Sequence, residues 1–200
     1  MAPSCPLGSG VWHDARIRTH VAFLRAINVG GRNLVSMSDL RDLFESAGHT
    51  EVTTYVQSGN VVFAAGSDEP DAAAIERHIE DRFGVQAGVV VVDRAAFEKI
   101  VKANPFSAES DPRRVHVMFH NRALTPTEVA AVRAAEGAAG GRDQARVIGR
   151  ALYVHTPDGF GRSALAARLT RAPRAGSDLV ATARNWATVL KVQALLTDPL

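Results

Sequence analysis

The chain has a single cysteine, Cys5, in 200 residues. No intramolecular disulfide can form, and a reducing, cytoplasmic setting is expected. With no cysteine pair and no HExxH sequence, zinc has no ligand set. His116 and His120 share a strand face by alternation, but no third ligand accompanies them, so neither metal nor cofactor is expected. No apolar run approaches the roughly 18 residues a membrane helix needs, which excludes a membrane-spanning reading. Residues 1–19 lack the apolar core of a secretory signal and read as a disordered leader rich in Gly, Pro, Ser and Arg. Nucleophilic catalysis finds no GxSxG elbow and no Cys–His pair. No close carboxylate pair points to glycosidase-like chemistry.

What is present is an ordinary globular composition, 46% hydrophobic and 22% charged. The net charge of +2 says little by itself, but its distribution is uneven. Residues 142–191 carry nine basic and three acidic side chains, and residues 36–81 carry two basic and ten acidic ones. Charge runs of this kind are usually solvated surface.

Hydrophobic spacing predicts a strand over His20–Ala26, then a helix opened by the Ser36-Met-Ser-Asp39 cap and closed at Gly48. Strands Val52–Gln57 and Asn60–Ala65 meet at Ser58-Gly59 as a hairpin. A helix from Pro70 to Gly84 and an apolar strand Gly88–Val92 follow. The order β-α-β-β-α-β is the split-βαβ, ferredoxin-like pattern. After a helix over Ala95–Ala103 the order recurs: strand Val115–Phe119, helix Thr125–Ala139, hairpin strands Ala145–Ile148 and Ala151–His155, and a helix from Ser163. A last helix is expected over Ala183–Leu196. Laid on one another, the two hairpins match Gly59 with Gly149 and Phe63 with Tyr153. The fold expected is therefore α+β: two ferredoxin-like, βαββα-type halves with mixed or antiparallel sheets, plus a C-terminal helix. Its boundaries are a leader at 1–19, a first half at 20–103 and a second half at 104–200.

Three constellations suit a polar ligand. Arg25, Asn28, Gly30, Gly31, Arg32 and Asn33 follow the first strand, where glycines admit positive φ and successive N–H groups form an anion-suited concavity. Gly161, Arg162 and Ser163 close a Gly-rich loop ahead of a helix, with glycine amides, a cation and a hydroxyl. The spacing is not that of a Walker loop or of GxGxxG. Arg184 and Asn185 open the last helix, where Arg184, Thr188 and Lys191 would share a face. Gln57, Ser58 and Asn60 add a polar cluster on the first hairpin. Each constellation is equally explained, taken singly, as a turn or a helix cap.

Five motifs in order are Leu24-Arg-Ala-Ile-Asn-Val-Gly-Gly-Arg-Asn33, Tyr55-Val-Gln-Ser-Gly-Asn-Val-Val-Phe63, Asn104-Pro-Phe106, Leu152-Tyr-Val-His-Thr-Pro-Asp-Gly-Phe-Gly-Arg-Ser163 and Ala183-Arg-Asn-Trp-Ala-Thr-Val-Leu-Lys191. Together they resemble the bacterial domain of unknown function 1697 family over about residues 20–196. The resemblance implies two ferredoxin-like halves and a small cytoplasmic protein, and it carries no catalytic residues. The stretch 168–177 departs from it in being unusually rich in Arg and Ala.

The expectation is a protein that binds a phosphate-bearing small molecule or nucleotide in a basic, Gly-rich cleft between its halves. One alternative is nucleic-acid binding through the basic C-terminal third, although the stacking aromatics of RNA-recognition modules are missing. Another is a structural or interaction protein whose buried arginines lock the halves together. An enzyme with Arg25, Arg162 and Arg184 stabilising charge would need a general base, for which His155 is the one candidate. The oligomeric state is not legible.

Overall fold

A computed structural model describes residues 17–171 and 178–198. Most of the expected leader, residues 1–16, lies outside them, as does most of the Arg- and Ala-rich stretch. Residues 18 and 19 are tied to the fold. Arg18 donates to the carbonyls of Glu51 (3.0 Å) and Leu195 (2.8 Å) and to Thr53 Oγ1 (3.0 Å). The Thr19 amide donates to the Phe63 carbonyl at 2.9 Å.

The first half runs β1 (His20–Arg25), α1 (Met37–Ser46), β2 (Thr50–Tyr55), β3 (Asn60–Ala64), α2 (Ala72–Phe83), β4 (Gly88–Asp93) and α3 (Arg94–Lys102). The second runs β5 (Val115–His120), α4 (Pro126–Ala139), β6 (Gln144–Ile148), β7 (Ala151–His155), α5 (Ala164–Leu169), β8 (Ala181–Asn185) and α6 (Trp186–Thr197). Local chemistry sets the helix ends. Ser36 accepts from the Asp39 amide to start α1. Thr125 and Glu128 form a reciprocal capping box at α4, with Pro126 just inside.

The sheets are ordered β2-β3-β1-β4 and β6-β7-β5-β8, and every pairing in them is antiparallel. This is the expected α+β pair of ferredoxin-like halves, with no mixed sheet among the described residues. The C-terminal helix is the main correction. Residues 181–185 form a strand, β8, and the helix begins only at Trp186. Thr182 and Arg184 are buried and their neighbours less so, the alternation of a strand. Asn185, whose Oδ1 accepts from the Thr188 amide at 2.8 Å, caps the helix that follows.

The halves share one core. One face of each sheet supplies Val21, Phe23, Val62 and Val90, and Val117, Phe119, Ala151 and Tyr153, with Phe97 and Ile100 of α3 and Val189 and Val192 of α6 among them. Phe23 and Phe119 stack across the halves at 4.2 Å. The opposite faces are covered by each half's own helices. Under α1 and α2 that core is large and holds Phe44 and Phe63. Under α4 and α5 it is small: Met118, Val132, Ala145, Leu152, Val154 and Leu165. Helix α4 explains the difference, because six of its fourteen residues are alanine and only Val132 is buried.

Strand register fixes how the halves correspond. Phe23 pairs with Asn60 and Val90, and Phe119 pairs with Ala151 and Thr182. Asn60 is therefore equivalent to Ala151, Leu24 to His120, and Val92 to Arg184. Tyr153 corresponds to Val62, one residue off the hairpin match with Phe63. A one-residue slip moves a side chain to the other sheet face: Phe63 lies in the outer core and Tyr153 in the shared one.

Candidate functional site

Because α4 is built of small residues, it does not fill the space over the second sheet. A cleft of about 760 Å³ opens there. The first half closes it with Leu24–Val29 and Val56–Ser58, and the second lines it with Met118, His120, Leu152, parts of α4, the end of α5, Leu179 and Ala181–Arg184. The walls are mostly apolar. The charged residues on them are Arg25, Glu128, Arg171 and Arg184.

Arg184 is the most constrained. It is 7% exposed, on β8, facing the shared core with its guanidinium carbon 5.4 Å from the Phe23 ring centre. Its Nη2 donates to the carbonyls of Leu24 (2.7 Å), Ser58 (2.9 Å) and Gly59 (3.1 Å). Its Nη1 donates to Thr182 Oγ1 (2.6 Å) and the Ala183 carbonyl (2.8 Å), and its Nε to Asn60 Oδ1. No carboxylate is among these partners. Burial lowers its pKa to about 10, so the group stays charged at neutral pH. The acceptors from the first half lie on the β1 end and the β2–β3 turn, so this one side chain ties the halves together. Gly59 has φ +72°, and a Cβ there would stand 2.6 Å from Ile27 Cδ1, so only glycine fits the turn.

The loop after β1 is held by its own amides. Asn28 Nδ2 donates to the carbonyls of Val35 and Gln57, both at 2.9 Å, and its Oδ1 accepts from the Val35 amide at 2.9 Å. Asn33 Nδ2 donates to the Ala26 carbonyl at 2.6 Å. Both asparagines shape the loop. Ala26, Asn28 and Val56, all on the cleft wall, have positive φ without being glycine. For a β-branched residue such as Val56 that is a strained conformation. Arg25 is half-buried, and its guanidinium has no hydrogen bond or ion pair among the described residues.

Of the residues expected to bind a ligand, Arg25, Asn28, Gln57, Ser58 and Arg184 line the cleft, and Asn60 lies behind Arg184. Gly30, Gly31, Arg32 and Asn33 form the exposed loop tip beyond it. Gly161, Arg162 and Ser163 line no part of it. There Arg162 donates to the Asp158 carbonyl, and Ser163 caps α5 and donates to Asp143 Oδ2 at 2.7 Å. Asn185 caps α6. Arg184, on a strand, shares no helix face with Thr188 and Lys191. His155 is spent on a hydrogen bond with Glu109 at 2.8 Å. His116 stacks on Phe160 at 3.8 Å, and the described residues gather no group of three or more His, Cys, Asp or Glu fit to hold a metal.

Sequence reasoning passed over His120 and Glu128 as members of this cleft. Glu128 is engaged by Arg122 at 2.9 Å and by the Thr125 amide at 2.7 Å, and Arg122 also binds Asp178 at 2.8 Å. The Arg122 bond is the main cause that holds the Glu128 pKa down to about 2.

These shifts predict an acid profile. The His116 pKa is lowered by burial from 6.5 to about 4, so the unfolded chain takes up that proton first. Stability therefore falls as pH drops from 6.5 to 4. The Glu128 pKa is lowered from 4.5 to about 2, and its contribution is lost as pH drops through that range. Urea unfolding at pH 7, 6, 5 and 4 should show a steady decline. His116→Phe, which keeps the stack on Phe160, should make it shallower, with the remainder left to the buried His49 and His120, whose pKa values burial also lowers.

The family model described as Protein of unknown function (DUF1697) matches residues 17–153. No curated protein matches the chain. Among solved structures, "The structure of conserved bacterial protein SP0830 from Streptococcus pneumoniae" is similar at TM-score 0.67 and 21% identity, covering 90% of this chain and 99% of that one. At that identity the likeness shows the fold alone. No helix among the described residues is long and apolar enough to cross a membrane.

Proposed function

Because the chain belongs to the DUF1697 family of proteins of unknown function, its activity has to be read from the site, and we propose that the cleft between the halves binds a small organic anion, a phosphate-bearing molecule or nucleotide in the first instance. The observation that carries this is the charge balance of the cleft wall. Three arginines share the wall with one carboxylate, and that carboxylate is already ion-paired with Arg122. Arg184 has spent its donors on the protein but keeps an uncompensated charge in a low-dielectric wall, which favours an anion nearby. Arg25 has its guanidinium donors unspent among the described residues. The volume falls within the roughly 300–1,000 Å³ of small-molecule sites, and apolar walls with few polar groups are their usual lining. The strained Val56 on the rim supports a functional edge there.

The geometry of Arg184 also favours the reading in which buried arginines lock the halves together, and the two are compatible: the clamp builds the cleft. Nucleic-acid binding has less to rest on, because the sheet face that RNA-recognition modules leave open is here buried against the other half. The test is a thermal-shift and calorimetric panel of inorganic phosphate, AMP and 2-naphthalenesulfonate at low salt. At least one organic anion should raise the melting temperature by several degrees when near 100-fold above its Kd, where linkage contributes about 2.7 kcal/mol. Arg25→Ala should weaken it about tenfold. Stabilisation by none of them, or equal affinity in Arg25→Ala, would overturn the reading.

A further inference from the structure

We infer that His120 Nε2 accepts a hydrogen bond from a hydroxyl or N–H on the body of the ligand, so that the anion recognised in the cleft carries a donor on its apolar part. This rests on the cleft-binding reading above and names the class of molecule it would take.

His120 is 3% exposed, yet its side chain forms part of the cleft wall. Its Nδ1 lies 3.1 Å from the Arg150 carbonyl, which also receives the His120 backbone amide at 3.1 Å. A carbonyl can only accept, so Nδ1 carries the proton. Burial lowers the pKa of the ring, which is therefore neutral at pH 7. The tautomer is thereby fixed, and Nε2 holds a lone pair and no hydrogen.

Nε2 has no partner among the described residues. Among the described residues, the one fully buried side-chain nitrogen or oxygen without a partner is His116 Nδ1, so His120 Nε2 is not sealed off but open to the cleft. The surrounding wall is apolar, with Leu24, Met118, Leu124 and Leu152 among the lining residues, and Glu128 is engaged by Arg122 and Thr125. The fold itself asks for nothing polar here. The equivalent position in the first half is Leu24, which packs in an apolar core. An imidazole acceptor facing an apolar cleft is costly unless a donor meets it. A small molecule that brings its own hydroxyl or N–H supplies that donor, while Arg25 and the charge of Arg184 hold its anionic group.

The test compares two probes that differ by one hydroxyl, 2-naphthalenesulfonate and 6-hydroxy-2-naphthalenesulfonate, by calorimetry at pH 7. The wild-type protein should bind the hydroxylated probe about fivefold more tightly, the effect of one net hydrogen bond. In His120→Leu, which copies the first half's residue, the two affinities should become equal. A preference that persists in His120→Leu, or no preference in the wild type, would overturn the assignment while leaving the cleft reading intact. Failure of both probes to bind would overturn this inference, and if inorganic phosphate and AMP fail as well the cleft reading falls with it. Long-range proton–nitrogen spectra give a check that needs no ligand: the Nδ1–H tautomer supports the assignment, and the Nε2–H tautomer overturns it.

Discussion

Arg184→Ala is expected to destabilise the protein by at least about 3 kcal/mol, with a lower urea midpoint at unchanged slope. The side chain satisfies the carbonyls of Leu24, Ser58 and Gly59 and the Asn60 side chain, all at the junction of the halves. Removing it leaves the Ser58 carbonyl and Asn60 Oδ1 unmet and takes one of two donors from the carbonyls of Leu24 and Gly59, which keep the Thr182 hydroxyl and the Leu24 amide. Each such group costs about 1–3 kcal/mol, and the costs are not additive within one network. Arg184→Met removes the desolvation cost of the cation but leaves the Ser58 carbonyl and Asn60 Oδ1 without a donor, so it should recover only part of the loss. Arg184→Lys keeps the charge without the planar fork and cannot reach acceptors on both halves. All three variants should therefore be less stable than wild type. If Arg184→Met were as stable as wild type, the clamp would contribute nothing and the packing of the halves alone would suffice.

Phe119→Ala should cost about 3–5 kcal/mol, the range for a buried aromatic whose cavity collapses only in part. Phe119 is fully buried, stacked on Phe23 from the other half and 6.0 Å from the ring of Phe97. Because the shared core draws on both sheets, the loss should appear in both halves at once. Unfolding followed by Trp186 fluorescence, near the second sheet, and by backbone circular dichroism should stay coincident. Separate transitions in the variant would mean that the halves fold independently and that the shared core is an ordinary interface between them.

The hairpins, the capping residues and the repeated order of elements were all legible, because periods of two and 3.6 and the Ser/Thr/Asp/Asn cap chemistry are local signals. β8 was not. Its five residues, Ala181–Asn185, run into a helix and hold alanines that suit either state, so its strand character comes from pairing with β5. The cap at Asn185 was the available signal, since a good N-cap sits at the start of a helix and not inside it. Missing β8 put Arg184 on a helix face with Thr188 and Lys191, when the strand turns its donors toward the junction of the halves. His120 was missed for a related reason: a histidine on an apolar strand reads as core until its equivalence to Leu24 and the open space under the alanine-rich α4 are known. The loop asparagines, expected as ligand contacts, have amides that hold the loop itself.

The central claim is that the cleft between the halves, with Arg25 as its free cation, holds an organic anion. A crystal structure of the protein soaked in 6-hydroxy-2-naphthalenesulfonate tests it most directly. The account predicts the naphthalene ring between the loop Leu24–Val29 and α4, the sulfonate within hydrogen-bond reach of Arg25, and the hydroxyl on His120. Ligand density at the Gly159–Ser163 loop or on the outer surface, with the cleft empty, would contradict it.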